Sequence, residues 1–320
     1  MYCFKIKSLL FLIFFSADLF AQPGWTKKED FPGSSRNLAV CFSIGNKGYY
    51  GMGQKRVELF TYKVYSDFWE YDAVKNTWTQ KAEFPGGGRL GAKGFSVNGK
   101  GYVGFGYYIM PYGPNAGGNA YQPDLYEFDP LVNTWAKKNN NYLADRDICF
   151  VLHPVGDSSG GVNDTAWSVN PEYRVVKKYN PVTDTWEESK WGKKSPAPDY
   201  PTIIGSDIDF PLGGQEYIIA SVYKKKTYIN QLWKFNPRTF EWTKRNDLPI
   251  PGNDTICAFS AGEKGYVIRG KNNLLEYNPS SDSWTERKEN TLPQKYFSPA
   301  FVLQGASYFF CQHEVWEFKH

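Results

Sequence analysis

Histidine and methionine are nearly absent from this 320-residue sequence, with three of each, and cysteine occurs only five times. The three histidines, His153, His313 and His320, are scattered, and no nucleophile-elbow motif accompanies them. A serine or cysteine triad, whose base needs an orienting partner, is therefore not indicated. Cys41, Cys149, Cys257 and Cys311 each sit in an apolar run without zinc-ligand spacing, so they read as small buried hydrophobes. Charge of one sign is missing as well: 37 basic and 33 acidic residues leave a net +4, no strong field for nucleic acid. Gly156–Asp164 offers acidic and amide oxygens but no EF-hand pattern. The expectation is a protein with no metal, no cofactor and no nucleic-acid partner.

Long apolar runs are missing too, except at the start. Lys5 and Lys7 precede the run Leu9–Phe15, and Ala21 followed by Gln22 is a plausible cleavage point. Residues 1–21 read as a secretory signal peptide, leaving one domain over 22–320 with no stable membrane span. The protein is expected to be exported, to the periplasm or beyond, as a monomer.

What is abundant is aromatic and turn-forming. Phe, Trp and Tyr make up 18% of the chain, alongside 30 Gly and 20 Pro. This composition disfavours a helical bundle and disorder, and favours many short strands joined by turns.

A repeat organises these residues. Arg36–Gly53 aligns without a gap on Arg89–Gly106, sharing Arg, Ala, Phe-Ser, Lys-Gly-Tyr and the two final glycines. The frame returns at Phe259-Ser260, Lys264-Gly265-Tyr266 and Gly270, and more faintly at Phe301 and Tyr308. Each copy is two short apolar runs around a Gly-rich turn, a β-hairpin signature. A second hairpin follows: Phe68-Trp-Glu-Tyr-Asp72 before Trp78, with counterparts ending at Asp129, Asn180, Asn236 and Asn278. The step from that Asp or Asn to the next Trp is six residues in all five copies. Val315-Trp-Glu-Phe318 lacks its following Trp, and Trp25 lacks a preceding motif, so joining the two ends makes a sixth unit. The Trp positions recur about every 52 residues.

These motifs resemble the kelch repeat of the secreted bacterial type, across residues 25–318. The resemblance implies an all-β, six-bladed β-propeller with four antiparallel strands per blade, its ring closed by pairing of the N- and C-terminal strands. Chain direction alternates within a blade, so the connections between second and third strands share one face. The long insertions fall mostly there: Gln54–Ser66, Tyr107–Pro123 and Tyr223–Asn230. In unit three, Pro154–Asp164 fits a loop between first and second strands better.

Candidate ligand-binding residues follow from this topology. Arg36, Arg89 and Arg146 begin first strands and are expected at the channel mouth, as planar forks for carboxylates. Lys55 and Arg56 lie in the first inserted loop, and Tyr107, Tyr108, Tyr112 and Tyr121 in the uncharged second one. Tyrosine rings suit sugar stacking or protein contact. Glu70, Glu127, Glu276 and Glu317 recur at one motif position and read as repeat structure. No acid–base set converges, so the main expectation is a non-catalytic propeller binding a glycan or protein ligand. The other is a sugar-active enzyme resembling the secreted kelch sialic-acid mutarotases, for which the arginines would hold a carboxylate.

Overall fold

The computed structural model describes residues 24–59, 61–109, 119–139, 153–154, 166–170, 175–190, 208–224, 226–236, 238–250, 255–269, 273–287 and 298–319. Every regular element among them is a strand. A leading strand β1 (Trp25–Lys27) precedes the first sheet, β2 (Val40–Ile44) and β3 (Lys47–Gly51), then, after a separate hairpin β4 (Gln54–Glu58) and β5 (Thr61–Val64), β6 (Phe68–Asp72) and β7 (Thr77–Lys81). The second sheet repeats this: β8 (Lys93–Val97), β9 (Lys100–Gly104), a hairpin β10 (Tyr107–Ile109) and β11 (Asn119–Tyr121), then β12 (Leu125–Asp129) and β13 (Thr134–Lys138). The third comprises β14 (His153–Pro154), β15 (Ala166–Asn170), β16 (Val175–Asn180) and β17 (Thr185–Lys190). The fourth comprises β18 (Asp209–Leu212), β19 (Gln215–Lys224), β20 (Thr227–Asn236) and β21 (Glu241–Lys244). The fifth is β22 (Thr255–Ala261), β23 (Lys264–Arg269), β24 (Asn273–Asn278) and β25 (Ser283–Glu286). The last is β26 (Ser298–Leu303), β27 (Ala306–Cys311) and β28 (Glu314–Phe318), with β1 paired antiparallel on β28 through Trp25 and Phe318. The molecule is an all-β propeller.

Local chemistry explains each hairpin. In every sheet but the third the turn between the first two strands has two residues, and Asn98-Gly99 and Gly213-Gly214 both take positive φ at each position, as the twist of a tight antiparallel hairpin demands. The turn between third and fourth strands is set by the Asp or Asn of the repeat. Asp72 Oδ1 accepts from the Val74 and Lys75 amides at 3.0 Å, and Asp129, Asn180, Asn236 and Asn278 cap their turns in the same way. Four residues beyond the cap the chain turns left-handed, at Asn76, Asn133, Asp184, Phe240 and Asp282. Two more residues bring the Trp, which accounts for the constant step of six.

Four of those left-handed residues also join neighbouring sheets. The Asn76 side chain accepts from the Glu29 amide at 2.9 Å, and Trp78 Nε1 donates to the Glu29 carbonyl at 3.2 Å. The same two-point latch ties Ala82 to Asn133 and Trp135, Asn139 to Asp184 and Trp186, and Asn246 to Asp282 and Trp284. Four of the eleven tryptophans, Trp78, Trp135, Trp186 and Trp284, are thereby accounted for as sheet-joining groups.

The core is layered aromatic. Phe42, Phe95, Phe210, Phe259 and Phe301 on first strands stack on Tyr49, Tyr102, Tyr217, Tyr266 and Tyr308 on second strands, with centroids 5.0–5.6 Å apart. The hydroxyls of Tyr49, Tyr102 and Tyr308 donate to Glu70, Glu127 and Glu317 at 2.5–2.8 Å, and that of Tyr266 to Glu276 at 3.4 Å. The recurring glutamates are therefore acceptors for buried phenols. In the fourth sheet the register partner of Tyr217 is Lys234, so the pattern lapses there.

Candidate functional site

Two of the three inserted segments are independent two-stranded hairpins standing between second and third strands. Backbone bridges root them: Asn37 pairs with Gln54, and Leu90 with Tyr107, so each hairpin is tied to the segment entering its own sheet. On β4–β5, Lys55 and Arg56 are exposed, and Lys55 lies directly opposite Lys63. On β10–β11, Tyr107 packs half-buried against Tyr121 at 5.7 Å, whereas Tyr108 and Tyr121 are 44% and 46% exposed. Tyr62 and Leu59 are exposed on the neighbouring hairpin. Aromatic and cationic groups thus share adjacent hairpins. The third insertion differs: β19 and β20 run on as ten-residue strands to a turn at Lys226, with Ser221 bonded to Asn230 at 2.6 Å. Tyr112, Arg146 and the 155–165 stretch lie outside the described residues.

Of the three arginines expected at the channel mouth, the two described, Arg36 and Arg89, are turned inward. Arg89 is completely buried, and its guanidinium makes a two-point pair with Asp124, one arm at 3.0 Å. It also donates to the carbonyls of Phe105, at 3.1 Å, and Gly86. Arg36 repeats this with Asp67 and the Met52 carbonyl, its Nε donating to Ser34, and its guanidinium lies 4.1 Å over the Tyr65 ring. Met52 and Phe105 are the non-glycine residues inside the Gly-X-Gly pairs, and both hold positive φ (56° and 60°). A bulky residue pays strain in that conformation. The arginine fastens its carbonyl, while the backbone oxygens of Asp67 and Asp124 accept its amide at 3.1 Å. The forks are thus spent within the protein, where they set the roots of the hairpins. Asp67 and Asp124 were the residues that sequence reasoning passed over. Their signal is a recurrence one position before the third strand of the first and second sheets.

Between the inner strands lies a cavity of about 410 Å³, within the ~300–1,000 Å³ span of ligand pockets. Its wall is built from β2, β8, β18, β22, β26 and β27, and includes Ser43, Ser96 and Ser260. Ser43 Oγ donates to the Val302 carbonyl at 2.7 Å, and Ser307 Oγ to that of Ser260 at 3.0 Å. Cys41 also lines it, but burial pushes its thiol up to about 12, so it is a poor nucleophile at neutral pH. Among the described lining residues Asp209 alone is charged. It hydrogen-bonds to Glu216, which is 7% exposed; burial first, and then the Asp209 charge, hold the Glu216 carboxyl well above the ordinary carboxylate range. Sequence reasoning missed this pair, although Glu216 stands where the first, second and fifth sheets carry glycine.

No protein-family model matches the chain. Two curated relatives, both Kelch domain-containing protein 10, from Xenopus laevis and Xenopus tropicalis, are 26% identical over 175 residues, 49% of this chain and 39% of theirs. The chain therefore aligns with well under half of their length. An N-acetylneuraminate epimerase from Salmonella typhi is 34% identical over 76 residues, 23% of this chain and 20% of the relative. Among solved structures, that of YjhT matches with a TM-score of 0.59 at 13% identity, over 90% of this chain and 95% of that one. The last likeness is one of fold.

Proposed function

We propose, for a chain that is a kelch-type β-propeller, a non-catalytic binding role in which a glycan or protein ligand docks on the face bearing the two inserted hairpins, at the channel mouth. The observation that carries this reading is the pairing of exposed Tyr108 and Tyr121 with exposed Lys55 and Arg56 on adjacent, rooted hairpins. Flat rings with polar edges recognise sugar faces or peptide side chains, and flanking cations favour anionic groups. Arg36 and Arg89 act beneath this surface by holding the hairpin roots. Tyr107 backs Tyr121.

The reading includes a closed ring of six blades, completed by β1 on β28, and export as a monomer after removal of residues 1–21. Among the described residues no helix is long and apolar enough to cross a membrane. A glycan-array screen of residues 22–320, repeated with Tyr108→Ser and Tyr121→Ser, tests the ligand site. The expected result is a hit weakened at least tenfold by either substitution. A hit indifferent to both would move the site elsewhere.

A second reading, an epimerase acting on a sugar acid, is favoured by the 76-residue likeness to the N-acetylneuraminate epimerase and by the cavity, which Asp209 lines. General acid–base work needs such a group within reach of the reacting carbon. NMR of anomer exchange on N-acetylneuraminate, with and without the protein, separates the two: acceleration supports the enzyme and a null result supports binding.

A further inference from the structure

Neighbouring sheets meet through a recurring joint in which a first-strand phenylalanine fills the space above a second-strand glycine of the next sheet. A Cβ on Gly48 would meet Phe301 at 2.4 Å, on Gly101 would meet Phe42 at 2.7 Å, and on Gly265 would meet Phe210 at 2.2 Å. Between the second and third sheets Phe95 and Ala166 share one core cluster, a minor variant of the same fit.

The joint between the third and fourth sheets departs from this. Glu216 opposes Pro211 as Gly48 opposes Ser43 and Gly265 opposes Ser260, so it occupies the glycine place. The face is the same one, because Ile218 and Ala220, two and four residues along β19, cluster with Val176 of the third sheet. In the third sheet, residue 153 opposes Trp167 as Phe95 opposes Tyr102, so a histidine holds the phenylalanine register position. On the fourth-sheet side of this joint a carboxyl thus stands where three other joints carry a glycine. Asp209, diagonal to Glu216 across the β18–β19 pair, hydrogen-bonds to it.

We propose that this joint is a pH-operated seam, kept shut by one proton held between Asp209 and Glu216 and loosened when that proton leaves. Two carboxyls in contact cannot both be charged cheaply, least of all when one is buried. The charged groups on the elements around the pair are Asp209 itself on β18, Lys234 on β20, Lys177 and Lys178 on β16 of the third sheet, and His153 on β14 by register. β22 contributes none, and on β23 Lys264 pairs with Glu276 at 3.5 Å while Arg269 donates to the Ile250 carbonyl at 2.7 Å. The direction of the pH effect follows from linkage. A carboxyl whose folded value is raised costs nothing below its ordinary value of about 4.5, and the cost grows as pH rises from there toward the folded value.

The test is thermal melting of the full chain from pH 4.5 to 9, for the wild type, Glu216→Gln and Asp209→Asn. The proposal expects both variants to gain on the wild type as pH rises, diverging by about 2 °C or more at pH 9. Amide exchange in β18–β19, corrected for intrinsic rates, should accelerate over the same interval relative to β22–β23. Melting curves that stay parallel across the range for whichever variant folds, with unchanged relative exchange, would overturn it.

Discussion

Replacing Arg89 with alanine should destabilise the whole propeller, and the size of the loss can be worked from its partners. The guanidinium is fully buried and satisfies both oxygens of Asp124, a side chain only 16% exposed, together with the carbonyls of Phe105 and Gly86. Truncation leaves a largely buried carboxylate without its cation, a loss of about 3–5 kcal/mol for pairs of this kind. It also releases the carbonyl that steadies Phe105 at φ 60°, and removes the stack of the guanidinium on Phe84, 4.8 Å away. At ~2–4 °C per kcal/mol for a domain approaching this size, the melting temperature should fall by about 10 °C. The assay is far-UV circular dichroism on heating, with Asp124→Asn and the Arg89→Met/Asp124→Leu double variant run alongside. The double variant should recover part of the loss, because it removes both charges together. An Arg89→Ala protein melting within about 2 °C of the wild type would refute the structural role and return the arginine to ligand binding.

Further expectations concern the joints, the termini and acid. Gly48→Ala would drive a methyl into the Phe301 ring, and should lower the melting temperature by several degrees, whereas Gly45→Ala meets no neighbouring atom, pays only the strain of its left-handed φ of 57°, and should cost less. Deleting residues 315–320 removes the partner of β1 and exposes the edge of β27; loss of the cooperative transition is expected, and an unaltered melt would count against ring closure. In acid, Lys47 is central: its hydrogen bond, with the Lys75 and Val74 amides, holds Asp72 at about 2. Burial opposes the Glu70 charge, but the Tyr49 hydroxyl, Lys81 and Lys47 outweigh it and lower that carboxyl too. Groups lowered in this way stabilise the fold above their ordinary values, and that stability drains as pH falls from about 4 toward 2. Lys47→Met should therefore flatten the acid limb of a melting-temperature profile, and coincident limbs would disprove the linkage.

Much of the architecture is written locally. The constant six-residue step is legible because a turn cap, a left-handed residue and a Trp must follow one another at fixed chain distances. The Phe and Tyr of successive strands are legible because a two-residue turn places them face to face. The candidate site is less so. Arg36 and Arg89 read as exposed forks because their partners lie 31 and 35 residues away, beyond the inserted hairpins, and a carboxylate that neutralises a cation at that separation leaves no local trace.

By itself the sequence determined the strand periodicity, the repeat, the insertions and the kelch likeness, all products of short-range chain geometry. Only the tertiary structure decided which polar groups face inward. It turned the arginines to Asp67 and Asp124, gave the repeated glutamates to buried phenols, and left tyrosines and cations on the rooted hairpins. It also brought Asp209 against Glu216. Burial and pairing are properties of sheets packed on sheets, and a charge changes its role according to what those sheets place beside it.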